Sequence, residues 1–495
     1  MSTDQSIDSS PTVASTAPPA YVDAGDAGFK PGLSNLQIQM IALGGAVGTG
    51  LFLGVGSRIA QAGPALAISY ILAGLVVYAM MRALGQMVLY RPTTGAFVSY
   101  AREFVSDRLS FFTGWIYVTL AAMIGCVEIA AVGVYVNFWF PDVPGWIPAL
   151  LAIVFVIGVN LLSVRAFGVM ELGAAGIKII SVIVFIIIGV IAILMAAFGR
   201  PLGESIASVT NLWEHGGFMP NGGLAIVLVM QGVVFSFSGV EIVANSAGEA
   251  KDPQRTMPKA IRSVMTRILL FYIGSVLILA MMLPFSDYSG DESPFVTALG
   301  SIGITGLSGV MNFVVLTAAL SGLNATIYAT ARPLRNLSAN KRAPEFTGKM
   351  SHRGTPVGAL TVICGVLVIG VVLILFFGAM GAFELILGSV SVLILFGWIT
   401  IFLSHLGFLR QVDQGLVPAP TFRAGGRVVD YICLALLGAM ALWMLFNFTN
   451  PTWYYPPIAV AIVMVVLTIA CGIVRRKYPE TPTRTVAVTT VRERS

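Results

Sequence analysis

The stretch Leu43-Gly-Gly-Ala-Val-Gly-Thr-Gly-Leu-Phe52 sets four glycines within seven positions in the middle of a long apolar run. Each glycine costs a helix interior roughly 1 kcal/mol relative to alanine, so the cluster marks a place where a membrane-crossing helix opens. Inside hydrocarbon, freed N–H and C=O groups are tolerated only where they face protein or a polar cavity. A second interruption, Phe235-Ser-Phe-Ser-Gly-Val-Glu241, falls in another apolar run later in the chain. Paired interruptions in the two halves of a membrane protein point to a transporter's substrate site.

Composition supplies the membrane. Of 495 residues, 57% are hydrophobic and only 11% charged, too little polar material to cover a water-soluble globule of this size. Charge-free runs such as Leu109 to Val127 and Ile179 to Gly199 are long enough to cross the hydrocarbon core. Hydropathy predicts an all-α integral membrane protein with about twelve spans: 36–62, 64–89, 109–140, 146–163, 167–198, 224–249, 262–284, 303–332, 356–378, 382–405, 428–448 and 456–474. Cys126, Cys364, Cys433 and Cys471 all fall within spans and imply no disulfide framework. Residues 1–34, rich in Ser, Thr, Pro, Ala and Asp, lack the basic start and early apolar core of a signal peptide and read as a disordered tail, as does the stretch from about 475 to 495.

Charge sets the expected orientation. With the N-terminus inside, alternate connections collect nearly all the base: Arg91, Arg102 and Arg108; Arg165; Lys251 to Arg262; Arg332 to Arg353; Arg410 to Arg427; and Arg475 to Lys477. The opposite connections hold Arg200 and the acidic Asp287, Asp291 and Glu292. Both termini are therefore expected in the cytoplasm. The net charge of +6 is this topological bias, and no nucleic-acid partner is expected.

At the first break, Ala46, Val47, Gly48, Thr49 and Gly50 form the candidate binding segment. A half-helix starting near Thr49 would aim unpaired N–H groups and a positive dipole end at a carboxylate. At the second, Phe235, Ser236, Phe237, Ser238, Gly239 and Glu241 would add free carbonyls suited to an ammonium and further N–H donors. Together the two breaks suit a zwitterion. Phe235 and Phe237 read equally as a lid over the ligand or as core aromatics, and Gly44 as a helix-packing residue.

Three ionisable residues stand at membrane depth, where a charge costs several kcal/mol and faces a cavity or a partner. Lys178 lies roughly 18 Å into the fifth span from Ala166. It reads either as the carrier of a coupling proton or as a permanently charged clamp on the carbonyls of the broken first helix. Glu128, deep in the third span, is a structural partner or a coupling group. Glu241 contacts the substrate region or caps the second half-helix. Glu171, Glu249, Glu384, Arg58 and Arg82 lie nearer span ends, where interface roles are expected. His215, His352 and His405, in loops or at a span end, have no metal-ligand spacing, and no metal is expected.

The ordered series Gly44 to Phe52, Ala62-Gly-Pro-Ala65, Arg82-Ala-Leu-Gly85, Asn160-Leu-Leu-Ser163, Phe167-Gly168 with Glu171 and Lys178, Gly239-Val-Glu241 and Glu249-Ala-Lys-Asp-Pro253 with Pro258-Lys-Ala260 resembles the amino acid-polyamine-organocation superfamily, in its bacterial amino-acid permease branch, over about residues 35 to 475. The chain departs from the family pattern at Gln86, at Leu172 to Gly176, at Ala331-Arg332 and in 338–344, while Asn211 to Asn221 leans toward the GABA and asparagine permeases. The resemblance implies a five-plus-five inverted-repeat core with spans 1 and 6 broken, plus two appended C-terminal helices. The expected division is a tail, 1–34; a core, 35–405, with repeats at about 35–200 and 220–405; two added helices, 406–475; and a cytoplasmic tail, 476–495. It also implies proton-coupled uptake, with the lysine matching Lys178 standing in for a sodium ion.

The expected function is import of a neutral or zwitterionic amino acid across the bacterial cytoplasmic membrane by proton symport and alternating access. The partners are the amino acid, protons and the lipid bilayer, and the energy source is the proton gradient, with no cofactor. An obligate amino-acid exchanger is the alternative, and a channel or nutrient receptor a more distant one. No nucleophile-base pair or metal constellation points to an enzyme.

Overall fold

The computed structural model describes residues 48–478, except 94, 163, 242–257, 259, 260, 262, 263, 267, 352–356, 421, 423 and 447–453. Ala46, Val47, both expected tails and the 242–249 half of the sixth span lie outside the described residues. Among those described the secondary structure is entirely helical. In chain order the helices that build the site are α1 (Thr49–Phe52), α2 (Gly54–Ala62), α3 (Leu66–Tyr90), α4 (Ala96–Phe104), α5 (Asp107–Asn137), α6 (Trp146–Leu162), α7 (Val164–Ala197), α8 (Leu224–Leu228) and α9 (Met230–Ser236). A π-helical turn at Ile268–Gly274 leads into α10 (Ser275–Met282). Then come α11 (Pro294–Gly300), α12 (Leu307–Ala339), α13 (Val357–Asp413), α14 (Gly426–Leu445) and α15 (Tyr455–Lys477).

Eight helical stretches among the described residues are long and apolar enough to cross a membrane. Two hold more than one of the expected spans. The stretch Gly54–Tyr90 carries the later part of the first expected span and the whole second. Helix α13 folds over at Gly378, whose φ of 72° is open to glycine but strained for other residues, so its two arms are the ninth and tenth spans. Within the first expected span α1 begins at Thr49, inside the glycine cluster, and within the sixth α9 ends at Ser236.

Burial separates the centre from the lipid face. In α5 83% of the apolar window is buried, against 22% in α14 and 11% in α15, so the third span is the hub and the last two are peripheral. Helix α5 begins with Ser106 as N-cap, its side chain accepting from the Leu109 amide at 3.1 Å, and carries Asp107 in its first turn. Helix α7 shows how one apolar helix serves two environments. Glu171, Ala175, Lys178, Val182 and Phe185 are buried on one face, while Ile180, Ile187, Ile191 and Leu194 are exposed on the other. A row of bare aliphatic side chains on this scale is a lipid-facing surface.

The appended helices are fastened by a buried polar cluster. His405 on the second arm of α13 is fully buried, with Nδ1 2.7 Å from Asp430 Oδ2 on α14 and Nε2 2.7 Å from Gln86 Oε1 on α3. Gln86 Nε2 also donates to the Phe422 carbonyl, and Arg82, one turn earlier, lies over the Phe422 ring at 5.4 Å. The sequence places His405 at a span end. The helix instead continues to Asp413, and α14 covers the ring.

Breaking such a buried pair from one side costs about 3–5 kcal/mol, because the remaining partner is stranded. Asp430→Ala is therefore expected to lower the unfolding midpoint of the detergent-purified protein clearly. The double replacement Asp430→Ala/His405→Leu should recover part of the loss. Equal midpoints for Asp430→Ala and the parent would show that the cluster contributes nothing to docking α14.

Candidate functional site

The two breaks meet backbone to backbone. Gly48 is extended, with φ −132° and ψ −164°, and α1 starts at Thr49. The amides of Thr49 and Gly50 open the half-helix and have no acceptor within it, while the Gly48 carbonyl accepts from Leu51 and Phe52 at 3.0 and 3.1 Å. Opposite, α9 ends at Ser236 and the chain turns through 237–241, with Gly239 at φ 85°. A Cβ on Gly50 would lie 2.7 Å from Ser236 Cα and 3.0 Å from Phe235 Cδ1. Only glycine permits this approach.

A central cavity lies beside the crossing. Gly48, Thr49 and Gly50 form one wall, and Phe235, Ser236, Ser238, Gly239 and Glu241 the facing one. Helix α5 contributes Tyr117, Leu120, Ala121, Ile124 and Glu128; α12 contributes Gly322, Ala325 and Thr326; and α7 contributes Lys178. Phe237 is turned away. It is fully buried against Tyr70, with ring centres 5.8 Å apart, and Tyr272, at 4.7 Å. Of the two phenylalanines, Phe235 borders the cavity and Phe237 belongs to the core.

The second break differs from the sequence expectation in one respect. The carbonyls of Val234, Phe235 and Phe237 accept turn bonds from Phe237, Ser238 and Val240, and that of Ser236 accepts from Tyr272 Oη at 2.8 Å. Tight turns and a buried tyrosine thus satisfy the carbonyls expected to be free at the end of α9. Tyr70 Oη lies 2.9 Å from Ser236 Oγ and braces the same residue from α3.

The ionisable residues cluster. Thr49 Oγ1 donates to Glu128 Oε1 at 3.2 Å, tying the first break to α5. Lys178 is 1% exposed; its Nζ donates to Ser321 Oγ on α12 at 2.9 Å, and the carboxylates of Glu171 and Glu128 both act on its charge. Glu128 sits so close to α12 that a side chain at Gly322 would collide with its carboxylate. Glu128 Oε2 and Glu241 Oε2 are buried and have no hydrogen-bond partner among the described residues.

Glu171 corrects its placement near a water-accessible span end, because it is fully buried. Helix α12 covers it: Ser321 Oγ donates to Oε1 at 2.9 Å and Asn324 Nδ2 to Oε2 at 3.4 Å. Arg58 and Glu384 are likewise engaged with each other. Arg58 Nη2 donates to Glu384 Oε2 at 2.7 Å, a second bond joins Nη1 to Oε1, and Ser57 Oγ donates to Glu384 at 3.1 Å. This bidentate pair joins α2 to the second arm of α13 beyond the cavity. Asn312 donates to the Tyr135 carbonyl at 2.8 Å and fastens α12 to α5.

Half-helix ends that meet backbone to backbone at a cavity holding buried ionisable groups, inside a bundle of apolar spans, define a multi-pass membrane transporter. The chain belongs to the amino acid permease family, whose model matches residues 37–486. It is 44% identical over 421 residues to an L-asparagine permease of Streptomyces coelicolor, covering 84% of this chain and 85% of that protein. It is 42% identical over 432 residues to L-asparagine permease 2 of Mycobacterium tuberculosis, covering 86% and 88%. The L-asparagine permease of Escherichia coli is 39% identical over 463 residues, covering 93% and 92%. The protein is thus an amino-acid transporter rather than an enzyme.

Proposed function

We propose that this permease imports L-asparagine, or a close neutral relative, across the cytoplasmic membrane by proton symport and alternating access, with both termini inside. The observation that carries the reading is the crossing of Gly48–Gly50 with Ser236–Glu241 at one cavity that also holds Lys178 and Glu128. The leading amides of α1 take the substrate carboxylate, where partial positive charge is concentrated. The ammonium turns toward Glu241, whose Oε2 is free to accept from it. Tyr117, Ile124 and Thr326 surround the side chain. The names of the relatives supply the choice of asparagine, and the basic bias of alternate connections supplies the orientation.

Lys178 and Glu128 carry the coupling proton in this reading. Two carboxylates and one ammonium, all almost fully buried, form a cluster whose protonation is linked to the groups around the substrate. The transport core is assigned to 35–405, with 406–475 added outside it. Rocking of one helix set against the other exposes the cavity to each side in turn.

Proteoliposomes containing the purified protein and an inside-alkaline pH gradient test the proposal. Radiolabelled L-asparagine is expected to accumulate above its external concentration without internal substrate, and a protonophore should abolish the accumulation. Unlabelled amino acids added in competition rank the substrates. Uptake that requires internal amino acid and ignores the protonophore would identify an exchanger instead.

A further inference from the structure

The polar network around Lys178 does not stop at the cavity. Ser321 Oγ accepts from Lys178 Nζ at 2.9 Å and donates its only hydrogen to Glu171 Oε1, also at 2.9 Å. Glu171 Oε2 accepts from Asn324 Nδ2 at 3.4 Å, and Asn324 Oδ1 accepts from Asn160 Nδ2 at 2.8 Å. Lys178, Ser321, Glu171 and Asn324 are each at most 1% exposed. Neither Ser321 nor Glu171 lines the cavity.

This chain has a direction. A serine hydroxyl has one proton, so donating to Glu171 fixes its lone pairs toward Lys178. The amide of Asn324 is fixed in the same way, because Asn160 donates to its oxygen and leaves its nitrogen facing Glu171. Glu171 precedes Lys178 by seven residues on α7, about 10 Å along the axis at 1.5 Å per residue. It therefore lies toward the Val164 end of the helix, the end that the charge bias puts inside.

We propose that Glu171, reached through Ser321, accepts the coupling proton from Lys178 and carries it toward the cytoplasmic end of α7. The proposal rests on the proton-symport reading above. In the transfer, a Lys178 N–H bond breaks as an O–H bond forms on Ser321. The original Ser321 O–H breaks in turn as an O–H forms on Glu171 Oε1. The products are a neutral amine and a neutral carboxylic acid, the serine is unchanged, and no other reactant enters. The charged groups that face Lys178 among the described residues are Glu171 on its own helix and Glu128 on α5; α12 brings the neutral Ser321 against it, while Thr49 of α1 bonds to Glu128 and Asn324 of α12, held by Asn160 of α6, bonds to Glu171. Glu128 faces the cavity, whereas Glu171 lies behind Lys178, so the two carboxylates address the ammonium from the loading and the releasing side.

The test separates net transport from exchange in proteoliposomes, with L-asparagine as the probe. Exchange with internal asparagine at equal pH moves the loaded carrier back and forth without releasing the proton. Net uptake driven by an inside-alkaline gradient requires release. Ser321→Ala and Glu171→Gln are expected to keep exchange near the parent's rate and to lose net uptake by about a hundredfold, the scale of a positioned proton-transfer group. Proton entry, followed with a trapped pH dye, should fall with net uptake. Gradient-driven uptake that survives in both variants overturns the relay. Exchange that falls in parallel with net uptake also overturns it, because it marks Ser321 and Glu171 as structural. A parent protein that exchanges asparagine but ignores the gradient overturns the symport reading itself, and is recognised before any variant is measured.

Discussion

Gly50→Ala is expected to cut asparagine uptake about 5- to 150-fold while leaving the protein folded and in the membrane. The added Cβ meets the Ser236 backbone, at 2.7 Å from Cα and 3.1 Å from N, and backbone cannot swing aside as a flexible side chain can. Relief requires α1 and α9 to separate, and these are the two segments whose crossing forms the cavity. Overpacking of this kind costs about 1–3 kcal/mol, or about 5- to 150-fold in occupancy of the closed crossing. Uptake should fall by a similar factor.

Two further glycines calibrate the result. Among the described residues, Gly48→Ala places its Cβ no nearer than 3.9 Å to a neighbour, the Glu128 carboxylate, so it should retain much of the activity. Gly176→Ala on α7 meets none of the described residues within 4 Å and should behave as the parent does. The measurement is initial uptake rate, normalised to the amount of protein in the membrane. Wild-type uptake by Gly50→Ala would mean that close contact between the two half-helices is not needed for transport.

The breaks themselves were legible in the sequence because their signal is local. Glycine clusters and Ser-Gly pairs weaken a helix wherever they stand, and no tertiary knowledge is needed to see it. The cavity walls were not legible in the same way. Tyr117, Ala121, Ile124 and Glu128 recur at helical spacing along α5, yet in a membrane helix the outward face is as apolar as the inward one. The contrast that reveals an amphipathic helix in water is therefore missing, and α5 shows its inward face only through Glu128, its acidic residue at membrane depth.

Glu171 illustrates a second limit. Its distance from the end of the span suggested water, but burial depends on what packs across from it, and that is Ser321 and Asn324 of α12, some 150 residues away in the chain. Phe235 and Phe237 illustrate a third. Two residues apart at a helix end, they point to opposite sides, one to the cavity and one into the Tyr70 and Tyr272 cluster. Composition treats them alike, and only the direction of the turn tells them apart.

Lys178→Met is expected to end gradient-driven accumulation at every pH. Removal of the ammonium leaves Glu128 and Glu171 on the two sides of an apolar side chain, with no cation between them. Two buried carboxylates without a counter-charge are each costly at membrane depth, by several kcal/mol, so the variant should hold a proton there that the gradient cannot withdraw. The second replacement in Lys178→Met/Glu128→Gln removes one of those charges and should raise the amount of folded protein without restoring accumulation. That contrast separates the two roles open to the lysine. A clamp that only holds the broken first helix would be replaced in part by any variant that restores folding, and accumulation would return with it. Uptake at two pH values, measured on equal amounts of each variant in proteoliposomes, gives the answer: robust accumulation with the parent's pH dependence in Lys178→Met would remove the lysine from the proton path, and Glu171 with it.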